Sequence, residues 1–111
     1  MSFAFNDDQK LLAESADRFV LDDYAFETRR KNMAMDGGFS RDVWAQFADL
    51  GWLALPIPEA HGGLGGSTVD TAVLLECLGR GLVVEPYHST VVMGAGAIAA
   101  AGNDTQKSEI L

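Results

Sequence analysis

Few residues in this chain are of types and spacing that could do chemistry, and the densest run of them is Val91 to Gly102, VVMGAGAIAAAG. Gly94-Ala95-Gly96-Ala97-Ile98-Ala99 fits G-x-G-x-x-A, and the β-branched Thr90, Val91 and Val92 precede it as a strand would. That order opens a dinucleotide-binding turn: strand, tight glycine turn, then a helix N-terminus aimed at a pyrophosphate. The chemistry also needs a second parallel strand and an acidic residue about 20 positions past the glycines. The sequence from Gly96 to Leu111 offers neither, and nothing upstream reads as a sheet. The stretch therefore reads as a helix with glycines inside it. Each interior glycine costs about 1 kcal/mol relative to alanine, so close approach of a neighbouring helix or of a ligand is expected there.

The remaining reactive side chains are scattered. His61 and His88 lie in different segments without ligand spacing, so no metal site is expected. Ser67 and Ser89 carry no local signature of nucleophilic catalysis. Cys77 lacks a nearby histidine or a clear basic setting to activate its thiol, and reads as a small buried apolar residue.

The elements that must hold these residues are helical. The first long segment runs from about Asp7 to Met33, capped by Asn6 or Asp7. Leu12, Ala16, Phe19 and Val20 lie on one face, and Asp22-Asp23 marks a break or bend. Arg29, Arg30 and Lys31 suit a solvated last turn. Ser40 caps a second helix whose face carries Val43, Trp44, Phe47 and Leu50, with Gly51 just past its end. Trp52 to Gly66, WLALPIPEAHGGLGG, holds too many prolines and glycines for a helix. A loop of that length is usually functional or packed against something. A third helix starts at Ser67 or Thr68, with Ser67 and Asp70 at capping-box spacing, and its apolar run from Val69 to Leu78 predicts burial on most sides. Glu85-Pro86 opens a fourth helix that runs to about Ala101, and a fifth begins at Asp104 or Thr105. The expected fold is all-α: a helical bundle-like domain of about five helices, with a long Pro/Gly loop between the second and third.

Composition bounds the partners. The 111 residues suit one domain, and 48% apolar with 22% charged residues is ordinary for a globular protein. A net charge of −8 opposes nucleic acid and anionic membrane. No apolar run approaches the roughly 20 residues of a membrane span. The start, MSFAFNDDQK, fits neither a signal peptide nor a mitochondrial presequence, and the single cysteine suits a reducing compartment. A cytoplasmic location is expected.

Set beside known families, "LGWLALPIPEAHGGLGGSTVDTAVLLECLGRG" followed by "AGNDTQKSEIL" resembles the N-terminal helical domain of acyl-CoA dehydrogenases. The shared pattern is L-G, then P-E-x-x-G-G-x-G, then a buried helix ending E-x-L-G-R, then A-G-x-x-x-Q-K. The start, F-x-x-x-Q-x-x-L-x-x-S-x-x-R-F, fits as well, so the likeness spans residues 1–111. His61 departs from the aromatic or aliphatic residue common at its place. The resemblance implies a flavoenzyme of three domains, of which the middle β and C-terminal helical domains lie outside this sequence. It implies oxidation of acyl-CoA to 2-enoyl-CoA, with FAD and the catalytic glutamate held mainly by those other domains. No catalytic residue is therefore expected in this chain, and the chain alone is expected to be inactive. The resemblance places the wall of the acyl pocket at the beginning of the fourth helix: Glu85, Tyr87, Ser89, Thr90 and Met93. Implied partners are the acyl-CoA substrate, the remaining domains of the same polypeptide, and other subunits in a homo- or hetero-oligomer. "DYAFETRR" and "LGRGLVVEPYHSTVV" are similar to a subgroup acting on unusual CoA esters, including dicarboxylic and steroid side-chain acyl-CoAs, where a polar acyl end would meet Tyr87 and His88. The alternatives are a non-catalytic subunit of the same fold and a free-standing helical interaction domain.

Overall fold

The computed structural model describes residues 4–111. Among them there is no strand. Six α-helices follow one another: α1 Asp7–Asp23, α2 Phe26–Met33, α3 Arg41–Asp49, α4 Thr68–Arg80, α5 Gly96–Ala101 and α6 Asp104–Ile110. A π-helix, His88–Ala95, runs directly into α5. The expected first helix is thus two, interrupted just after Asp22-Asp23, and the expected fourth is two kinds of helix end to end.

The described residues form two compact units. The first holds those up to Phe39 together with Ala72–Val84; the second holds Ser40–Thr71 and Glu85–Leu111.

In the first unit, Asn6 and Gln9 form a reciprocal capping box at the start of α1, with N–H···O distances of 2.8 and 3.0 Å. Such a box satisfies two backbone donors that a bare helix end would leave open. Ala16 and Phe19 of α1, Tyr24, and Val73, Leu74, Cys77 and Leu78 of α4 are the buried apolar residues. The Phe19 and Tyr24 rings lie 5.6 Å apart. The opposite edge of α4 is open: Val69 and Ala72 are exposed, not buried as the apolar run predicts. Four residues at i, i+3, i+7 and i+10 (Val69, Ala72, Glu76, Gly79) make up that edge, so burial follows one helical face and not the density of apolar residues. After α4 the chain turns at Leu82, which has the left-handed φ of 51°. The Arg29 guanidinium donates to the Leu82 carbonyl at 2.6 Å, and the Val84 N–H donates to the Tyr24 hydroxyl at 3.1 Å. These two bonds from the α1–α2 segment hold a backbone shape that a leucine adopts only at a cost.

In the second unit, Ser40 caps α3 by accepting from the Val43 N–H. Val43 and Phe47 are buried, whereas Leu50, expected on the same face, is 43% exposed. Gly51 has the left-handed φ of 81° that ends the helix. The stretch after it holds one short 3₁₀ helix, Glu59–His61, and is otherwise closed by its own backbone. Leu64 N–H donates to Ala54, Gly65 N–H to Ile57 and Gly66 N–H to Leu55, at 2.7 to 2.9 Å. Ser67 and Asp70 then cap α4 reciprocally, as their spacing predicts. Asn103 with Gln106 does the same for α6.

Candidate functional site

The residues expected to face a ligand begin where Glu85 and Pro86 lead into the π-helix. Two of them are fixed inward. Glu85 is buried and its carboxylate accepts from the Ser40 backbone N–H at 2.8 Å. Tyr87 is buried too; its hydroxyl donates to the Trp52 carbonyl at 2.7 Å, and its ring meets Phe47 edge-on at 6.5 Å. Burial pushes the Tyr87 phenol well above its ordinary pKa, so it stays a neutral donor. Both side chains therefore hold the start of the helical run in place and do not point to solvent. The other three face outward: Ser89 and Thr90 are exposed and Met93 is 61% exposed. Ser89 and Met93 stand four residues apart, and the Ser89 hydroxyl donates back to the Pro86 carbonyl.

Two shallow grooves in the second unit flank this run. One, of about 300 Å³, is lined by Thr90, Val91 and Ala95 with Trp44, Leu53 and Ile110 among its walls. The other, of about 230 Å³, lies between Pro56, Thr68 and Thr71 on one side and Val92, Gly96 and Ala99 on the other. Neither is lined by a charged side chain. Of the expected residues, Thr90 lines one of these two grooves. Sequence reasoning misses Trp44, Leu53 and Ile57 as lining residues; the one signal for them is the long Pro/Gly loop that carries the last two.

Gly94 and Gly96 of VVMGAGAIAAAG sit within helix, Gly102 lies just past its end, and Thr90, Val91 and Val92 are helical rather than strand. No strand–turn–helix exists there to receive a pyrophosphate. Among the described residues no group of three or more His, Cys, Asp or Glu could hold a metal ion. Among the same residues no helix is long and apolar enough to cross a membrane.

Cys77 is no nucleophile. It is buried, and its thiol reaches the Ala13 carbonyl at 3.8 Å. Burial first, and then the neighbouring Asp17, push its pKa from 9.0 to about 11, with Arg80 partly opposing. The native thiol thus keeps its proton where the unfolded one loses it. Its contribution to stability is full below pH 9 and lost as pH rises to about 11. Cys77 is expected to resist iodoacetamide at pH 8 in the folded chain and to react fully in urea. In a pH series of urea melts, Cys77→Ala should flatten the fall in stability between those two values.

Comparison with known proteins places this geometry in a family. Residues 6–111 match the model of the acyl-CoA dehydrogenase N-terminal domain. The acyl-CoA dehydrogenase IpdE2 of Mycobacterium tuberculosis is 33% identical over 90% of this chain and 32% of its own length. Isovaleryl-CoA dehydrogenase of Bos taurus mitochondria is 26% identical over 96% of this chain and 25% of its own. The crystal structure of the ChsE4–ChsE5 complex from Mycobacterium tuberculosis contains a chain that superposes with a TM-score of 0.79 at 27% identity. That match covers 100% of this chain and 28% of that one. The chain spans about a third or less of the length of these relatives.

Proposed function

The chain belongs to the acyl-CoA dehydrogenase family as its N-terminal domain, and on that premise we propose that it walls the acyl end of the substrate pocket in an enzyme that oxidises acyl-CoA to 2-enoyl-CoA. The observation that carries this reading is the outward, uncharged surface of the helical run, where Ser89, Thr90 and Met93 are exposed beside apolar grooves. An acyl chain needs apolar contact and no counter-charge, and such a surface supplies it. Glu85 and Tyr87 serve the same site by holding the run at Ser40 and Trp52.

The residues present do not fit a flavin dinucleotide. The grooves lack a charged side chain for its pyrophosphate, and the glycine stretch is helical. On this reading FAD, the catalytic glutamate and the hydride transfer belong to the middle β and C-terminal helical domains of a longer polypeptide. The whole enzyme is then cytoplasmic and oligomeric. The likeness to a chain of the ChsE4–ChsE5 complex favours assembly with a second, different chain. That is also what a non-catalytic subunit of this fold would do; such a subunit would lack the glutamate.

Met93→Trp in the full-length enzyme tests the wall. It is expected to lower kcat/KM for long or bulky acyl-CoA esters roughly tenfold relative to short ones, the scale of a methylene-sized misfit in an apolar pocket. Steady-state rates over a series of acyl-CoA esters measure this. An unchanged ratio between long and short substrates would place the acyl chain elsewhere.

A further inference from the structure

Most glycines in this chain have a visible reason to be glycine. Some have a left-handed φ, as Gly51 does; others have a neighbour where a Cβ would go, as at Gly66, where it would stand 2.7 Å from the Leu55 carbonyl oxygen. Gly96 has neither. Its φ of −60° and ψ of −42° are ordinary for a helix, and a Cβ there would meet nothing within 4 Å. Alanine would fit and would favour the helix, since an interior glycine weakens one. A locally unfavourable residue with no compensating contact inside the fold is the mark of a position kept for function. Gly79 and Gly94 are helical too, but they line neither groove. Gly96 lines the groove of about 230 Å³.

Its place in the helical run joins that groove to the exposed wall. The Gly96 N–H donates to the Met93 carbonyl, and residues three apart are neighbours on a helix surface. Met93, which is exposed, stands one turn before Gly96; Ala99, which lines the groove, stands one turn after. With no side chain at 96, the way between them is open. The facing wall is Pro56, Gly66, Thr68 and Thr71. The lining is mostly hydrocarbon and carries no charge, which suits a methylene chain and not an ionic ligand. The second groove shares Ile57, Val91 and Ala95 with this one but not Gly96.

Resting on the acyl-pocket reading above, we infer that Gly96 is a specificity-determining residue: the far end of a long acyl chain passes from Met93 over the bare backbone of Gly96 into the groove between Ala99 and Thr71. Short chains end before Gly96 and do not touch it. A side chain at 96 therefore acts on long substrates alone.

Gly96→Leu and Gly96→Ala in the full-length enzyme test this, with Met93→Trp beside them and Gly79→Leu as control. Gly79 lies in α4, where a Cβ also meets nothing within 4 Å. Flavin content, and kcat and KM over a series of straight-chain acyl-CoA esters, are read for each. Gly96→Leu should lower kcat/KM for long esters about tenfold relative to short ones, mainly through KM, as for a misfit in an apolar pocket. Gly96→Ala should keep its flavin and move the ratio the same way by about threefold. Gly79→Leu should leave the ratio unmoved. If Met93→Trp shifts the ratio and neither Gly96 variant does, the inference is overturned and the acyl-pocket reading stands. The same holds if Gly96→Leu unfolds or loses flavin while Gly96→Ala leaves the ratio unmoved, since another part of the protein then covers position 96. If Met93→Trp leaves the ratio unmoved as well, both are overturned.

Discussion

Phe47→Ala is expected to destabilise the chain by about 3–5 kcal/mol, the range for deleting a buried phenylalanine. Phe47 has no exposed surface. Its ring lies 5.1 Å from Trp52, 6.1 Å from Trp44 and 6.5 Å from Tyr87, centroid to centroid. Removing it opens a cavity walled by three large rings. Tyr87 is bonded to the Trp52 carbonyl and cannot slide into the space without breaking that bond. The cost is large against the roughly 5–15 kcal/mol that holds an ordinary domain folded. Urea unfolding measures it as a lower midpoint at constant slope. Phe47→Leu refills most of the volume and should cost less than about 1.5 kcal/mol. A Phe47→Ala loss below that of Phe47→Leu would mean the aromatic cluster is not the core of the second unit.

The second large effect is expected at Gly63. A Cβ on Gly63 would collide with the backbone carbonyl of Ile57. Backbone cannot step aside as a rotamer does, and this backbone is pinned on both sides. Gly65 donates to the Ile57 carbonyl and Leu64 to Ala54, while Pro56 and Pro58 flank Ile57. Gly63→Ala should therefore cost about 3 kcal/mol, the upper range for forcing atoms into a packed place. Its neighbour separates sterics from conformation. Gly62 has a φ of 83°, but a methyl group there would meet nothing within 4 Å, so Gly62→Ala should cost only about 1–2 kcal/mol through the left-handed backbone. Equal losses at the two positions in urea melts would contradict the close approach of Gly63 to Ile57.

How far the sequence reaches is clearest at its helix ends. Ser40, Ser67 with Asp70, and Gly51 act through groups within three or four residues, and their spacing alone locates them. The same holds for the break after Asp22-Asp23. The all-α class was legible because no segment alternates in hydropathy as a strand does. The π register was not. Over eight residues, HSTVVMGA is too uniformly small or apolar for a period to show. Exposure along α4 is hidden for a related reason: a helix rich in Val, Ala and Leu conceals which edge is left open.

At the proposed pocket wall, the sequence does not show which way the side chains point. Glu85 and Tyr87 look like ligand contacts in a list of polar residues. Their partners, Ser40 and Trp52, lie 45 and 35 residues away in sequence, and only the fold brings them together. Ser89, Thr90 and Met93, by contrast, are exposed. The G-x-G-x-x-A match shows the opposite error, in which a local pattern suggests a chemistry that its context does not support.

The most direct test is to titrate the full-length protein, purified with its natural flavin, with saturated acyl-CoA esters in the absence of oxygen. The protein is expected to be yellow, and its oxidised-flavin absorbance to fall as 2-enoyl-CoA forms. A colourless protein, or a flavin that no acyl-CoA ester reduces, would contradict it.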